Sequence, residues 1–103
     1  MTQYICSIDR ATCIVMRNKR AVRLGYLQFA IFRTIHEARR AKRALVTGEE
    51  LYDALYGGCK NPAGRNSIAV MCGQMNKKLK HLGLKMQGTN RRQNSFYQIV
   101  VLQ

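Results

Sequence analysis

Ile68, Cys72, Met75, Leu79 and Leu82 recur at spacings of four, three, four and three, a period that no strand can place on one side. The stretch from about Ser67 to Leu82 is therefore expected to be a helix with one stripe committed to a core, stopped by Gly83. Its opposite side carries Asn66, Val70, Gly73, Gln74, Lys77 and His81, a polar face without a carboxylate.

Two more helices precede it. Leu27, Ile31, Ile35 and Ala38, flanked by Phe29 and Phe32, predict a helix from Tyr26 to about Arg40 whose basic end suits the negative end of its dipole. Thr47-Gly48-Glu49-Glu50 has the form of a capping box: the Thr hydroxyl accepts from a helical amide while Glu50 reaches back. A short helix bearing Leu51, Ala54 and Leu55 should follow, with Gly57 closing it left-handed and a Gly-rich loop running to Gly64.

The ends of the chain have a different period. Tyr4, Cys6 and Ile8 alternate, Thr12 to Met16 is β-branched and apolar, and Val22 and Leu24 alternate after the Asn18-Lys19 turn. These segments predict a three-stranded antiparallel meander. Leu84 to Gln87 and Phe96 to Val101 predict a closing hairpin around the polar turn 88–95, with Arg91 and Arg92 near its tip.

A chain of 103 residues has room for one core, so 1–103 is read as a single domain of α+β class. Eighteen Lys and Arg against five Asp and Glu give a formal charge of +13, which points to an anionic partner, nucleic acid first. No segment approaches the roughly 20 apolar residues of a membrane span, and MTQYICSI does not read as a leader, so the expectation is a cytoplasmic, nucleoid-associated protein without a membrane partner. Cys6, Cys13, Cys59 and Cys72 form no C-x-x-C pair, and His36 and His81 complete no zinc spacing, so inert thiols and no cofactor are expected.

Taken in order, Ile8-Asp9, Val22-x-Leu24, Val46-Thr47 with Leu51, Ile68-x-Val70-x-Cys72-x-x-Met75-x-Lys77-x-Leu79, and Tyr97 resemble the C-terminal effector domains of OmpR/PhoB-type response regulators over nearly the whole chain. The resemblance implies a winged helix-turn-helix: a three-stranded N-terminal sheet, three helices and a C-terminal hairpin as the wing. It also implies a third helix in the major groove, a wing in the minor groove, a loop at 57–65 that meets RNA polymerase, and head-to-tail pairing on DNA. By position, Asn66, Ser67, Val70, Gly73, Gln74, Asn76 and Lys77 would face duplex DNA, joined by Arg91 and Arg92 on the wing. The chain departs from the family at Gly73, Gln74 and Asn76, where arginines are usual, and at Gly25, where a capping hydroxyl is usual. It holds no receiver-like segment, so a stand-alone regulator is expected.

Side-chain chemistry gives these positions work independently of the resemblance. A glutamine amide donates and accepts at once, matching the N6 and N7 edge of adenine, Val70 suits a thymine methyl, and Gly73 permits close backbone approach. Lys77, Lys78 and Lys80 suit phosphates, and Arg91 and Arg92 a narrow minor groove. The alternatives are an adaptor or inhibitor that binds RNA polymerase or another protein, and a non-specific nucleoid or RNA-binding basic protein. Asp9, Glu37, Glu49, Glu50 and Asp53 form no pattern of catalytic carboxylates, so an enzyme is not expected.

Overall fold

The computed structural model describes residues 6–43, 45–57, 66–91 and 94–102, with the main chain alone at 66, 67, 90, 91 and 94. The described chain is α+β. Strands β1 (Ser7–Asp9), β2 (Ile14–Arg17) and β3 (Arg20–Arg23) lead into α1 (Tyr26–Arg40). A two-residue strand β4 (Val46–Thr47) then precedes α2 (Gly48–Tyr56), α3 (Asn66–Leu79) and a 3₁₀ turn (Lys80–Leu82). Strands β5 (Leu84–Arg91) and β6 (Asn94–Val101) complete it.

β1, β2 and β3 pair as the expected antiparallel meander, and Asn18 and Lys19 take positive φ values of 53° and 65° in the tight turn between β2 and β3. Ile8, Val15 and Val22 share one row of this sheet and face the core, while Ser7, Met16 and Ala21 share the adjacent row on the outer side. The expectation fails at the other end of the chain. The terminal hairpin is not a separate two-stranded wing: Val46 and Thr47, assigned to the approach to the second helix, pair with Tyr97 and Phe96, so the sheet has the order β4-β6-β5. Two residues ahead of a helix cap carry too little alternation to betray a strand. The hairpin ladder also extends further than expected, from Leu84↔Val101 to Arg91↔Asn94, leaving only 92 and 93 between its strands.

Local chemistry sets the helix ends. The Glu50 amide donates to Thr47 Oγ1 at 3.1 Å and the Thr47 amide to Glu50 Oε2 at 3.4 Å, completing the capping box of α2, and Gly57 ends that helix left-handed. The helix from Ile68 tightens into the 3₁₀ turn before stopping at Gly83, whose φ of 69° disfavours any residue with a Cβ. α1, α2 and α3 bury Phe32, Ile31, Leu51, Ile68, Met75 and Leu79 against one another and against Leu84 and Ile99 of the second sheet. Val15 brings the first sheet into the same core.

One buried cation joins the two halves. Arg17, 7% exposed, donates from its guanidinium to the Leu82 carbonyl at 2.6 Å, across 65 residues of sequence. The carbonyls that end a helical segment lack intrahelical donors and carry partial negative charge, so they attract a guanidinium placed there. Nothing in the sequence singled out Arg17, which follows Met16 at what reads as the start of a turn.

Candidate nucleic-acid interface

α3 turns Ile68, Cys72, Met75 and Leu79 inward, so the helix repeat fixes Val70, Gly73, Gln74 and Lys77 on the outside. Val70 is 58% exposed, and a Cβ built on Gly73 would meet nothing within 4 Å. Asn66 and Ser67 form the first turn of the helix, Asn66 in line with Val70, Gly73 and Lys77 by spacing; their side chains lie outside the described residues.

The flanks of this face are held by side-chain bonds. On one flank Asn76 reaches β5: its Nδ2 donates to the Met86 carbonyl at 3.0 Å, and its Oδ1 accepts from the Met86 amide at 2.7 Å. On the other, Gln28 Nε2 donates to Gln74 Oε1 at 3.3 Å while Gln28 Oε1 accepts from the Gly25 amide at 3.2 Å, so one glutamine both caps α1 and tethers α3. Lys78 Nζ donates to the Arg23 carbonyl at 2.7 Å on the same flank. The free face of α3 thus runs between the β5–β6 hairpin on one side and the end of β3 with the start of α1 on the other.

Asn76 is held apart from the rest of the expected set. It lies about 100° around the helix from Lys77 in the direction of β5, at the border of the buried stripe, and both halves of its amide are engaged by Met86. β5 is an edge strand, and Met86, paired with Ile99, directs its own N–H and C=O away from β6. The Asn76 amide takes the place that a neighbouring peptide group would occupy. Gln28 was also missed, although Gly25-x-x-Gln28 has the spacing by which a residue at the third helical position returns to the cap.

Charge is distributed unevenly. Eight of the eighteen Lys and Arg lie beyond residue 53, and none of the five Asp and Glu do. Of those five, Glu37 and Glu50 are paired with Arg10 and Arg43 at 2.7 Å. Glu37 sits nine residues along α1 from Gln28, roughly 13 Å at 1.5 Å per residue, so its pair with Arg10 is well removed from the Gln28–Gln74 contact. Lys77, Lys78, Lys80, His81 and Lys85 are all exposed. Arg91 ends β5, its side chain outside the described residues; Arg92 and residues 58–65 of the expected polymerase loop also lie outside them.

The titratable groups in the core have different surroundings. Burial pushes the Cys72 thiol up to about 12. Burial, reinforced by the charge of Arg40 and partly offset by Glu37, holds His36 below the usual imidazole range, stacked on Phe32 with centroids 6.0 Å apart. Among the described residues, no three His, Cys, Asp or Glu side chains come together as a metal would need, and no helix is long and apolar enough to cross a membrane. Comparison with protein-family models, with curated proteins and with solved structures gives no match to this chain.

Proposed function

We propose that this chain is a winged-helix-type domain that binds duplex DNA sequence-selectively and regulates transcription, with α3 in the major groove and the β5–β6 hairpin reaching the adjacent minor groove. One observation carries the reading. An exposed helix face bearing Val70, Gly73, Gln74 and Lys77 lies between two bracing elements, in the half of the chain that has eight cations and no carboxylate. A major groove about 12 Å wide accepts one helix, and its phosphate ridges call for cations on both sides.

Gln74 suits base reading because its orientation is set before any contact. Its Oε1 accepts from Gln28 and keeps a second lone pair, while Nε2 keeps its donors, the combination an adenine edge requires. Gly73 supports the same reading from its cost. Glycine inside a helix is less favourable than alanine by about 1 kcal/mol, and no neighbour occupies the space an alanine methyl would fill. A surface that must approach closely gives that vacancy a use. Asn66, Ser67, Arg91 and Arg92 complete the proposed DNA set, Asn76 is left out of it, and the protein acts by binding and not by catalysis. RNA polymerase contact through 57–65, head-to-tail pairing and residence on the nucleoid belong to the same proposal.

The test is selection from a random duplex library at physiological salt. An enriched motif is expected, with its repeat spacing reporting stoichiometry. Binding without enrichment would replace the proposal with non-specific coating. A flat response of duplex affinity to salt would remove nucleic acid altogether and favour the adaptor, for which exposed Val70 offers an apolar contact.

A further inference from the structure

The first sheet adds to this surface. β3 runs beside the end of α3: the Arg23 carbonyl at one end of the strand accepts from Lys78, and Arg20 at the other donates to the His81 carbonyl at 3.4 Å. Arg17, paired with Arg20 across the turn, holds the Leu82 carbonyl. These contacts fix the β2–β3 turn, with exposed Lys19 in it, against the 3₁₀ turn that carries Lys80.

The cations gathered there divide into two kinds. Arg17, Arg20 and Lys78 donate to main-chain carbonyls, and structure alone accounts for them. Lys19, Lys80 and the Arg23 guanidinium hold no carbonyl and pair with no carboxylate among the described residues. The acid nearest in register is Asp9, in line with Arg23 but separated from it by Ile14 of the central strand, and its carboxylate accepts from the Ala11 amide at 3.0 Å. Bringing like charges together raises the energy of the free protein, and a polyanion relieves it.

We infer that Lys19, Arg23 and Lys80 form a cationic shoulder that grips the DNA phosphate backbone on the flank of α3 opposite the terminal hairpin. The inference rests on the proposed binding of duplex DNA and extends its footprint to the N-terminal sheet. The hairpin meets one phosphate ridge of the groove that holds α3, and the shoulder meets the other. Each shoulder cation that neutralises a phosphate releases condensed counterions, so its removal shows in the salt dependence of binding.

The experiment compares two triple variants of equal charge on a random-sequence duplex between 50 and 200 mM salt. One is Lys19→Asn, Arg23→Gln and Lys80→Gln. The other is Arg33→Gln, Arg40→Gln and Lys42→Asn on α1 and just beyond its end. Asparagine is used at Lys19 and Lys42 because both have positive φ, 65° and 66°. The shoulder variant should lose about 2.7 from the magnitude of the log–log slope, which over this fourfold salt range amounts to about 40-fold in affinity, while the α1 variant keeps the wild-type slope. Equal slopes in the two variants, with a steep wild type, would overturn the shoulder and leave the DNA reading standing. A flat wild type would overturn the DNA reading first. Thermal melts establish that each variant folds, and Lys19→Asn alone, in an exposed turn, should still reduce the slope by about 0.9 if the triple variant does not. An unchanged slope in that single variant would then overturn the inference.

Discussion

Replacing Asn76 by alanine should destabilise the protein without altering its choice of DNA sequence. The side chain makes two bonds to the main chain of Met86, a residue only 2% exposed. Each bond contributes about 0.5–1.5 kcal/mol net, so their joint loss costs about 1–3 kcal/mol. Alanine returns about 0.6 kcal/mol through helix propensity, leaving about 0.4–2.4 kcal/mol, centred near about 1.4. For a domain of this size that lowers Tm by roughly 10 °C. Urea and thermal unfolding followed by circular dichroism read this directly, with the m-value unchanged because the surface exposed on unfolding is the same. Asn76→Asp keeps the acceptor for the Met86 amide but turns an oxygen toward the Met86 carbonyl, so it should cost at least as much as alanine. A loss under about 0.5 kcal/mol in both variants would mean the bridge contributes nothing. A native Tm together with lost base discrimination would return Asn76 to the reading face.

Gly73→Ala should raise Tm by about 4–8 °C, because a helical methyl is gained in open space, and should weaken duplex binding; unchanged affinity would place the backbone of α3 away from the groove. Gln74→Ala should cost about 1–3 kcal/mol on the preferred site and little on random DNA, whereas joint replacement of Arg91 and Arg92 by alanine should weaken both and reduce the salt slope by up to about 2; competition titrations at fixed salt separate the two patterns, and intact discrimination in the Gln74 variant would remove it as a base reader. His36 is held below its unfolded pKa by burial, so the unfolded chain takes up the proton first as pH falls. Its contribution is complete above about pH 6.5 and is lost below it, at up to about 1.4 kcal/mol per pH unit. Urea melts at pH 7.5 and 5.5 should show this fall in the wild type and a smaller one in His36→Gln, and equal falls would assign the effect to other groups.

What the sequence disclosed and what it hid follow from the range of each interaction. Periodicity of 3.6, the Thr47–Glu50 box and the stops at Gly57 and Gly83 are local patterns written within one or two helical turns, and each was legible. β4 was not, because a two-residue strand derives its pairing from Phe96 and Tyr97, about 50 positions away. The same reason hid the bonds that frame α3. A helical wheel places Gln74 and Lys77 outside, yet it cannot say that Asn76, one position before Lys77, meets an edge strand. Arg17 was obscured by chemistry as well as distance, since arginine after an apolar strand reads as a solvated turn unless a carbonyl is known to await it.

The Arg17–Leu82 bond has a consequence for how the chain is made. β1, β2 and β3 leave the ribosome first, but the carbonyls that receive Arg17 and Arg20 belong to residues 82 and 81. At about 5–20 residues per second, the opening meander waits several seconds for its acceptors. During that interval Val15 has no completed core to enter and Arg17 stays hydrated. The earliest-made sheet is therefore among the last parts to dock, and the fold closes backwards, from its C-terminal half onto its beginning.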